Sequence, residues 1–252
     1  VKRGLAIYAA AAYLFLHLPL ATLVLFSFNA SRFTLWEGFS LRWYQAVFTD
    51  AEMADAMWNS VIIAIVSTII STVAGTLAAY ALWKRSSRLL SGSLYLSLVT
   101  PEIVTGISLL AFFQWTFRWL GWHLGLHTVI LAHVSFSIAY VAIVVAARLR
   151  TFDASLEEAA MDLGATEWRA FRRVTLPAIS PGVIAAGLLA LTISFDDYVI
   201  TSLVAGVDST TLPMVIYAMA RRGANPSINA ISALIVVIFG AVILISERLR
   251  EA

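Results

Sequence analysis

Apolar residues in this chain do not alternate with polar ones; they run in long blocks. Residues 5–28 hold 24 positions without a single charge. Comparable blocks cover 59–83, 92–117, 128–147, 182–205 and 228–246. A bilayer core about 30 Å thick is crossed by about 20 helical residues at 1.5 Å each, so the blocks predict six spanning helices. Barrel strands would show a period of two, which is missing here, and helices satisfy their own backbone groups in lipid. The expected fold class is therefore all-α integral membrane, one transmembrane domain over 1–252, with the first span bent at Pro19. Lys2 and Arg3 before the first block have the look of a signal peptide. The block outruns the usual 7–15 residues of such a segment, and no small-x-small site follows, so it reads as a span.

The polar joints between blocks set the orientation. Twelve of the 17 Lys and Arg residues fall in segments that share a side with the N-terminus, among them Lys84, Arg85, Arg88, Arg148, Arg150, Arg169, Arg172 and Arg173. Only Arg32, Arg42, Arg118, Arg221 and Arg222 fall on the other side. Bases accumulate on the cytoplasmic face, which puts both termini there. Trp36, Trp43, Tyr44, Trp58, Trp119 and Trp122 then read as an outer interfacial belt.

One joint differs from the rest. EEAAMDLGATEWRAFRRVTLP, residues 157–177, carries seven charges in its first 17 positions, in a chain only 13% charged. Leu156, Ala159, Ala160 and Leu163 recur at helical spacing. Asp153 is placed to cap a first helix, Gly164 to end it, and Thr166 to cap a second, which Leu176-Pro177 stops before the next span. The residues alone read equally as a hairpin lying on the inner leaflet or as a docking element for a cytosolic partner.

Composition sharpens the class. A mean hydropathy of +0.86 with 60% hydrophobic residues leaves too little polar cover for a water-facing surface. The net charge of +2 comes from bases at block ends, which points away from nucleic acid. Zero cysteines exclude disulfides, thiolate catalysis and cysteine-held metals. The two lysines, Lys2 and Lys84, form no phosphate loop, and neither a nucleophile–base pair nor a metal-ligand pair is evident.

Charges inside blocks are costly and point to function. Glu102, Asp196 and Asp197 qualify, with no Lys or Arg inside a block to pair them. At 1.5 Å per residue they lie between the midplane and the outer half, as a cation path requires. Trp115, Tyr140, Phe195, Tyr198 and Tyr217 offer aromatic faces to a cation, although aromatic residues in spans are more often packing. The bland alternatives are that Glu102 accepts backbone N–H groups freed at Pro101, and that an aspartate caps a short helix near Tyr198. Adjacent aspartates point about 100° apart, so one of the two faces a given cavity. His17 and His133 read as hydrogen-bonded packing histidines.

Glu158-Ala159-Ala160, three residues, Gly164, nine residues, then Val174-x-Leu176-Pro177 resembles the EAA signature of ABC-importer permease subunits, with Val for Ile the one departure. The resemblance implies a type I importer fold whose coupling helix lies between spans four and five. Glu158, Ala159, Ala160, Asp162, Gly164, Leu176 and Pro177 would carry the coupling to an ATPase. It implies four further chains in a bacterial inner membrane: a second permease in a heterodimer, two ATP-binding cassette subunits and a periplasmic substrate-binding protein. It implies no cofactor in this chain, with ATP and Mg bound by the partner ATPase, and no catalytic or metal residues. Thr100-Pro101-Glu102-Ile103-Val104-Thr105-Gly106-Ile107-Ser108-Leu109-Leu110 resembles the third-span motif of the spermidine/putrescine permease group. So do Phe39-Ser40-Leu41-Arg42-Trp43-Tyr44, Asn59-Ser60, Ser194-Phe195-Asp196-Asp197, Thr211-Leu212-Pro213-Met214 and Asn225-Pro226-Ser227-Ile228-Asn229-Ala230. A polyamine path along Glu102, Asp196, Asp197, Trp115 and Tyr198 is the implied function. The alternatives are a permease for another small solute, such as ferric iron or an organic cation, and an intramembrane enzyme.

Overall fold

The structure is a computed structural model that describes residues 2–32, 35–223 and 226–251. Asn225 of the last motif lies outside them, as do the side chains of Lys2, Arg3, Arg248 and Arg250. Apart from one antiparallel bridge between Asn29 and Phe39, the described elements are helices. In chain order they are α1 (Lys2–Ser27), α2 (Arg42–Thr49), α3 (Ala51–Lys84), α4 (Arg88–Val99), α5 (Glu102–Leu120) and α6 (Leu126–Leu149). Then come α7 (Ala154–Asp162), α8 (Glu167–Ala170), a π turn (Phe171–Thr175), α9 (Leu176–Asp196), α10 (Val199–Val204), α11 (Leu212–Arg222) and α12 (Pro226–Glu251). Among the described residues, five helical stretches are long and apolar enough to cross a membrane.

Four expected blocks appear as single helices, in α1, α3, α6 and α12, and α1 runs unbroken through Pro19. Two do not. The block 92–117 is cut into α4 and α5 at Thr100-Pro101. Proline forces its predecessor out of the helical region, and Thr100 is extended at φ −67°, ψ 127°. The block 182–205 is cut at Asp197, extended at φ −66°, ψ 125°, leaving α10 as a separate short helix.

A further difference concerns Pro177, expected as a stop. The chain instead passes without a break from α8 through the π turn into α9. The ring of Pro177 would press on the carbonyl four residues back in α geometry, and its missing N–H leaves a carbonyl unpaired. The wider π turn, in which the Leu176 N–H reaches Phe171 O, absorbs both defects.

The chain divides into two compact units, Val1–Asp55 with Met214–Ala252, and Ala56–Pro213. In the first, α1 and α2 each pack on α12. Trp43, expected in the interfacial belt, is buried there and donates its Nε1–H to Asn29 O at 2.8 Å. In the second unit α6 is the central helix, packed along α9 and also against α4 and α10. One apolar cluster joins Ile63, Phe113, Phe117, Val129, Phe136 and Ile200; another joins Ala79, Val141, Val145, Leu149, Ile179 and Ala186.

Candidate functional site

Both helix breaks of the second unit open onto one cavity of about 630 Å³. Its wall includes Thr100, Pro101 and Glu102 from the first break and Asp196, Asp197 and Tyr198 from the second. Phe136 and Tyr140 of α6, with Ser97, Thr105 and Thr192, complete its polar and aromatic lining. Gly106 lies where α10 meets α5. A Cβ at that position would stand 2.5 Å from Leu203 Cδ1 and 3.4 Å from Ile200 Cα, so any side chain there has to displace Leu203. Trp115, exposed and about 20 Å along α5 from Glu102, does not line the cavity.

The three carboxylates are held differently. Glu102 starts α5 without accepting a capping hydrogen bond, and its side chain is exposed. Asp196 is also exposed, and among the described residues neither carboxylate has a hydrogen-bond or ion-pair partner. Asp197 is committed to the fold. Its Oδ2 accepts from Thr201 N at 2.8 Å and from Thr201 Oγ1 at 2.7 Å, and its Oδ1 from Ile200 N at 3.4 Å. It therefore caps α10, while Asp196 is left to the cavity.

Behind Asp197 lies a buried polar chain. His133 Nε2 sits 2.9 Å from Thr201 Oγ1 and 3.4 Å from Asp197 Oδ2, and Nδ1 sits 2.7 Å from Ser194 Oγ. Thr201 spends its hydroxyl proton on Asp197, so Nε2 donates to Thr201 Oγ1, and Nδ1 bonds to the Ser194 hydroxyl. Ser67 Oγ lies 2.9 Å from Ser194 Oγ, tying α3 to the group. Ser194, His133 and Asp197 are thus brought together from α6 and the end of α9. Ser194 is buried between His133 and Ser67, with no face open to a reacting carbonyl, so the chain of bonds holds helices together. Among the described residues no group of three or more His, Asp or Glu is placed to hold a metal.

The charged joint forms a second feature. Asp153 Oδ1 accepts from Ser155 N at 3.0 Å to cap α7, and the Ser155 hydroxyl, followed by this backbone bond, holds the carboxyl pKa below its ordinary value. Gly164 takes φ +89°, the left-handed turn that glycine favours, and Thr166 Oγ1 caps α8. Glu158, Ala159, Asp162 and Gly164 are exposed, and Ala160 and Leu176 half-buried. Leu156, Leu163 and Trp168 are exposed apolar side chains on the same segment, Leu163 at 91%.

Glu157, the neighbour of the signature glutamate, is wholly buried. Its Oε1 accepts from Tyr80 Oη at 2.7 Å and pairs with Lys84 Nζ at 2.5 Å; its Oε2 accepts from Thr175 Oγ1 at 2.6 Å. Burial pushes this carboxyl up, but Lys84, Thr175 and Tyr80 outweigh it and hold the group below its ordinary value.

Residues 71–252 match the family described as binding-protein-dependent transport system inner membrane component. The chain is 43% identical over 237 residues to the putrescine transport system permease protein PotI of Escherichia coli K12, covering 91% of this chain and 84% of that one. It is 37% identical over 243 residues to the spermidine/putrescine transport system permease protein PotC of Haemophilus influenzae, covering 95% and 93%. Among solved structures it is similar to a bacterial ABC transporter involved in the import of the acidic polysaccharide alginate, at a TM-score of 0.74 and 18% identity over 98% and 97% of the two chains. It is also similar to the MetNI methionine transporter, at 0.66 and 20% over 80% and 97%. At these identities the structural likeness concerns the fold alone.

Proposed function

The chain belongs to the family of binding-protein-dependent transport system inner membrane components, and from that premise we propose that it forms the translocation path for a polyamine. As a family member it is a multi-pass inner-membrane permease subunit and not an enzyme, and ATP hydrolysis belongs to a partner chain. A polyamine is a flexible chain bearing several ammonium groups separated by methylenes. The observation that carries the reading is a cavity in which two carboxylates without partners among the described residues, Glu102 and Asp196, stand with the rings of Tyr140 and Tyr198. Carboxylates attract the ammonium groups, and aromatic faces suit the stem and its charges. The names of the putrescine and spermidine/putrescine relatives support the same substrate class.

The exposed face of α7, with Glu158, Ala159, Asp162 and the Gly164 turn, is the coupling helix that seats on the ATPase, and both termini share its cytoplasmic side. Six spans result when α4 with α5, and α9 with α10, each count as one. A second permease chain completes a heterodimer, joined by two ATPase subunits, which bind ATP and Mg, and a periplasmic binding protein.

The test is uptake by the assembled complex in proteoliposomes, offered labelled putrescine, spermidine, choline and ferric iron. ATP-driven uptake of a polyamine, lowered about 5- to 150-fold in Glu102→Gln, is expected. Uptake of another solute, with none of a polyamine, sinks the substrate assignment.

A further inference from the structure

Glu157 is a fully buried carboxylate on α7, whose other residues are exposed or half-buried, and transport chemistry makes no use of it. Its three partners come from outside its own helix. Tyr80 and Lys84 sit on the last turns of α3, and Thr175 closes the π turn that feeds α9. The backbone of α7 packs on α8 and the π turn. Sequence continuity links α7 to α6 on one side and to α9 on the other. No stretch of chain links it to α3. That connection is made by side chains, with the Glu157 carboxylate as its polar centre. Around it Tyr80 packs on Phe171 at 4.4 Å, Trp83 packs on Phe152, and Lys84 Nζ lies 5.2 Å from the Trp83 ring centroid.

We propose that Glu157 is the positioning residue through which the coupling helix moves α3 together with α9, so that one displacement at the ATPase reaches both walls of the polar seam behind the cavity. The inference rests on the coupling-helix reading of α7. A carboxylate held by three donors on two elements resists being pulled from either one, because each bond lost strands a buried polar group. The far end of the connection is chemically defined. Ser67 on the same α3 meets Ser194 of α9, which holds His133 and through it the Asp197 cap. A joint shift of α3 and α9 is therefore carried through Ser194 and His133 to the break that presents Asp196. The π turn between Glu157's partner Thr175 and α8 is the kind of irregular helical turn that recurs at functional sites.

A merely structural anchor would lower abundance or assembly. A positioning residue changes coupling in complexes that still assemble. The experiment reconstitutes the complete transporter with Glu157→Ala, Glu157→Gln, Tyr80→Phe, Lys84→Met and, as control, Gly164→Val. Each is measured for ATPase co-purification, for ATPase activity with and without loaded binding protein, and for uptake. Glu157→Ala is expected to co-purify with the ATPase and keep basal hydrolysis, lose stimulation by loaded binding protein, and drop uptake at least tenfold. Glu157→Gln, Tyr80→Phe and Lys84→Met, the last two on α3, show the same uncoupling at a few-fold. Amide exchange at residues 80–85 rises in Glu157→Ala. Stimulation and uptake within twofold of wild type in Glu157→Ala overturn the proposal, as does loss of uptake only in step with loss of ATPase co-purification. If Gly164→Val also stays coupled, the coupling-helix reading falls with it. If Gly164→Val uncouples and Glu157→Ala does not, the role of Glu157 alone is refuted.

Discussion

Replacing the two adjacent aspartates separately is expected to split stability from transport. Asp197 accepts two hydrogen bonds from Thr201 and faces His133 at 3.4 Å. Asp197→Ala removes the cap of α10, worth about 0.5–2 kcal/mol. It also strips the acceptor from the Thr201 hydroxyl and weakens the setting of His133, both buried, for about 1–3 kcal/mol more. The sum, about 1.5–5 kcal/mol, lowers the unfolding midpoint by roughly 3–20 °C for a chain of this size. Asp197→Asn keeps an acceptor oxygen and falls less. Asp196 is exposed with no partner among the described residues, so Asp196→Ala stays within about 0.5 kcal/mol of wild type. Its cost appears in transport. Losing one ion pair with a polyamine ammonium, about 1–3 kcal/mol, slows uptake about 5- to 150-fold in Asp196→Asn. The assays are thermal unfolding of the purified complex in detergent and initial uptake rates in proteoliposomes. A midpoint in Asp196→Ala as low as in Asp197→Ala would refute the division of roles, and wild-type uptake in Asp196→Asn would remove Asp196 from the path.

Gly164→Val places a β-branched residue at φ +89°, strained by about 1–2 kcal/mol with open space around it, and should uncouple hydrolysis from uptake at unchanged abundance. Gly106→Val puts its Cβ into Leu203 and close to the Ile200 backbone, pushing α10 off α5; abundance should fall by half or more, as a membrane immunoblot would show. Glu157 is held below its ordinary value when folded, so its stabilisation is complete above about pH 4.3 and is lost as pH falls through the folded value. Proteolytic protection of the 148–176 segment should therefore drop as pH falls below about 4.3 in wild type and change less in Glu157→Gln.

The parts of this protein legible in its sequence are those decided by neighbours within a turn or two. Block length alone marks α1, α3 and α6, and short-range caps mark α7 and α8, because Asp153, Gly164 and Thr166 act on residues two or three positions away. Pro101 announced a break for the same local reason. What escaped depends on partners far along the chain. Pro177 reads locally as a stop, yet a π turn carries the helix past it into α9. Glu157 and Glu158 are identical in sequence terms, and only Tyr80, 77 positions earlier, and Thr175, 18 later, draw one inward and leave the other exposed. Asp196 and Asp197 are equally indistinguishable until His133 and Thr201 engage one of them. In both pairs the inward carboxylate is consumed by the fold, which fixes the backbone that presents its neighbour. Each doublet therefore divides into an anchor and a reporter, and a substitution at the anchor should be felt at the reporter's partner, whether substrate or ATPase.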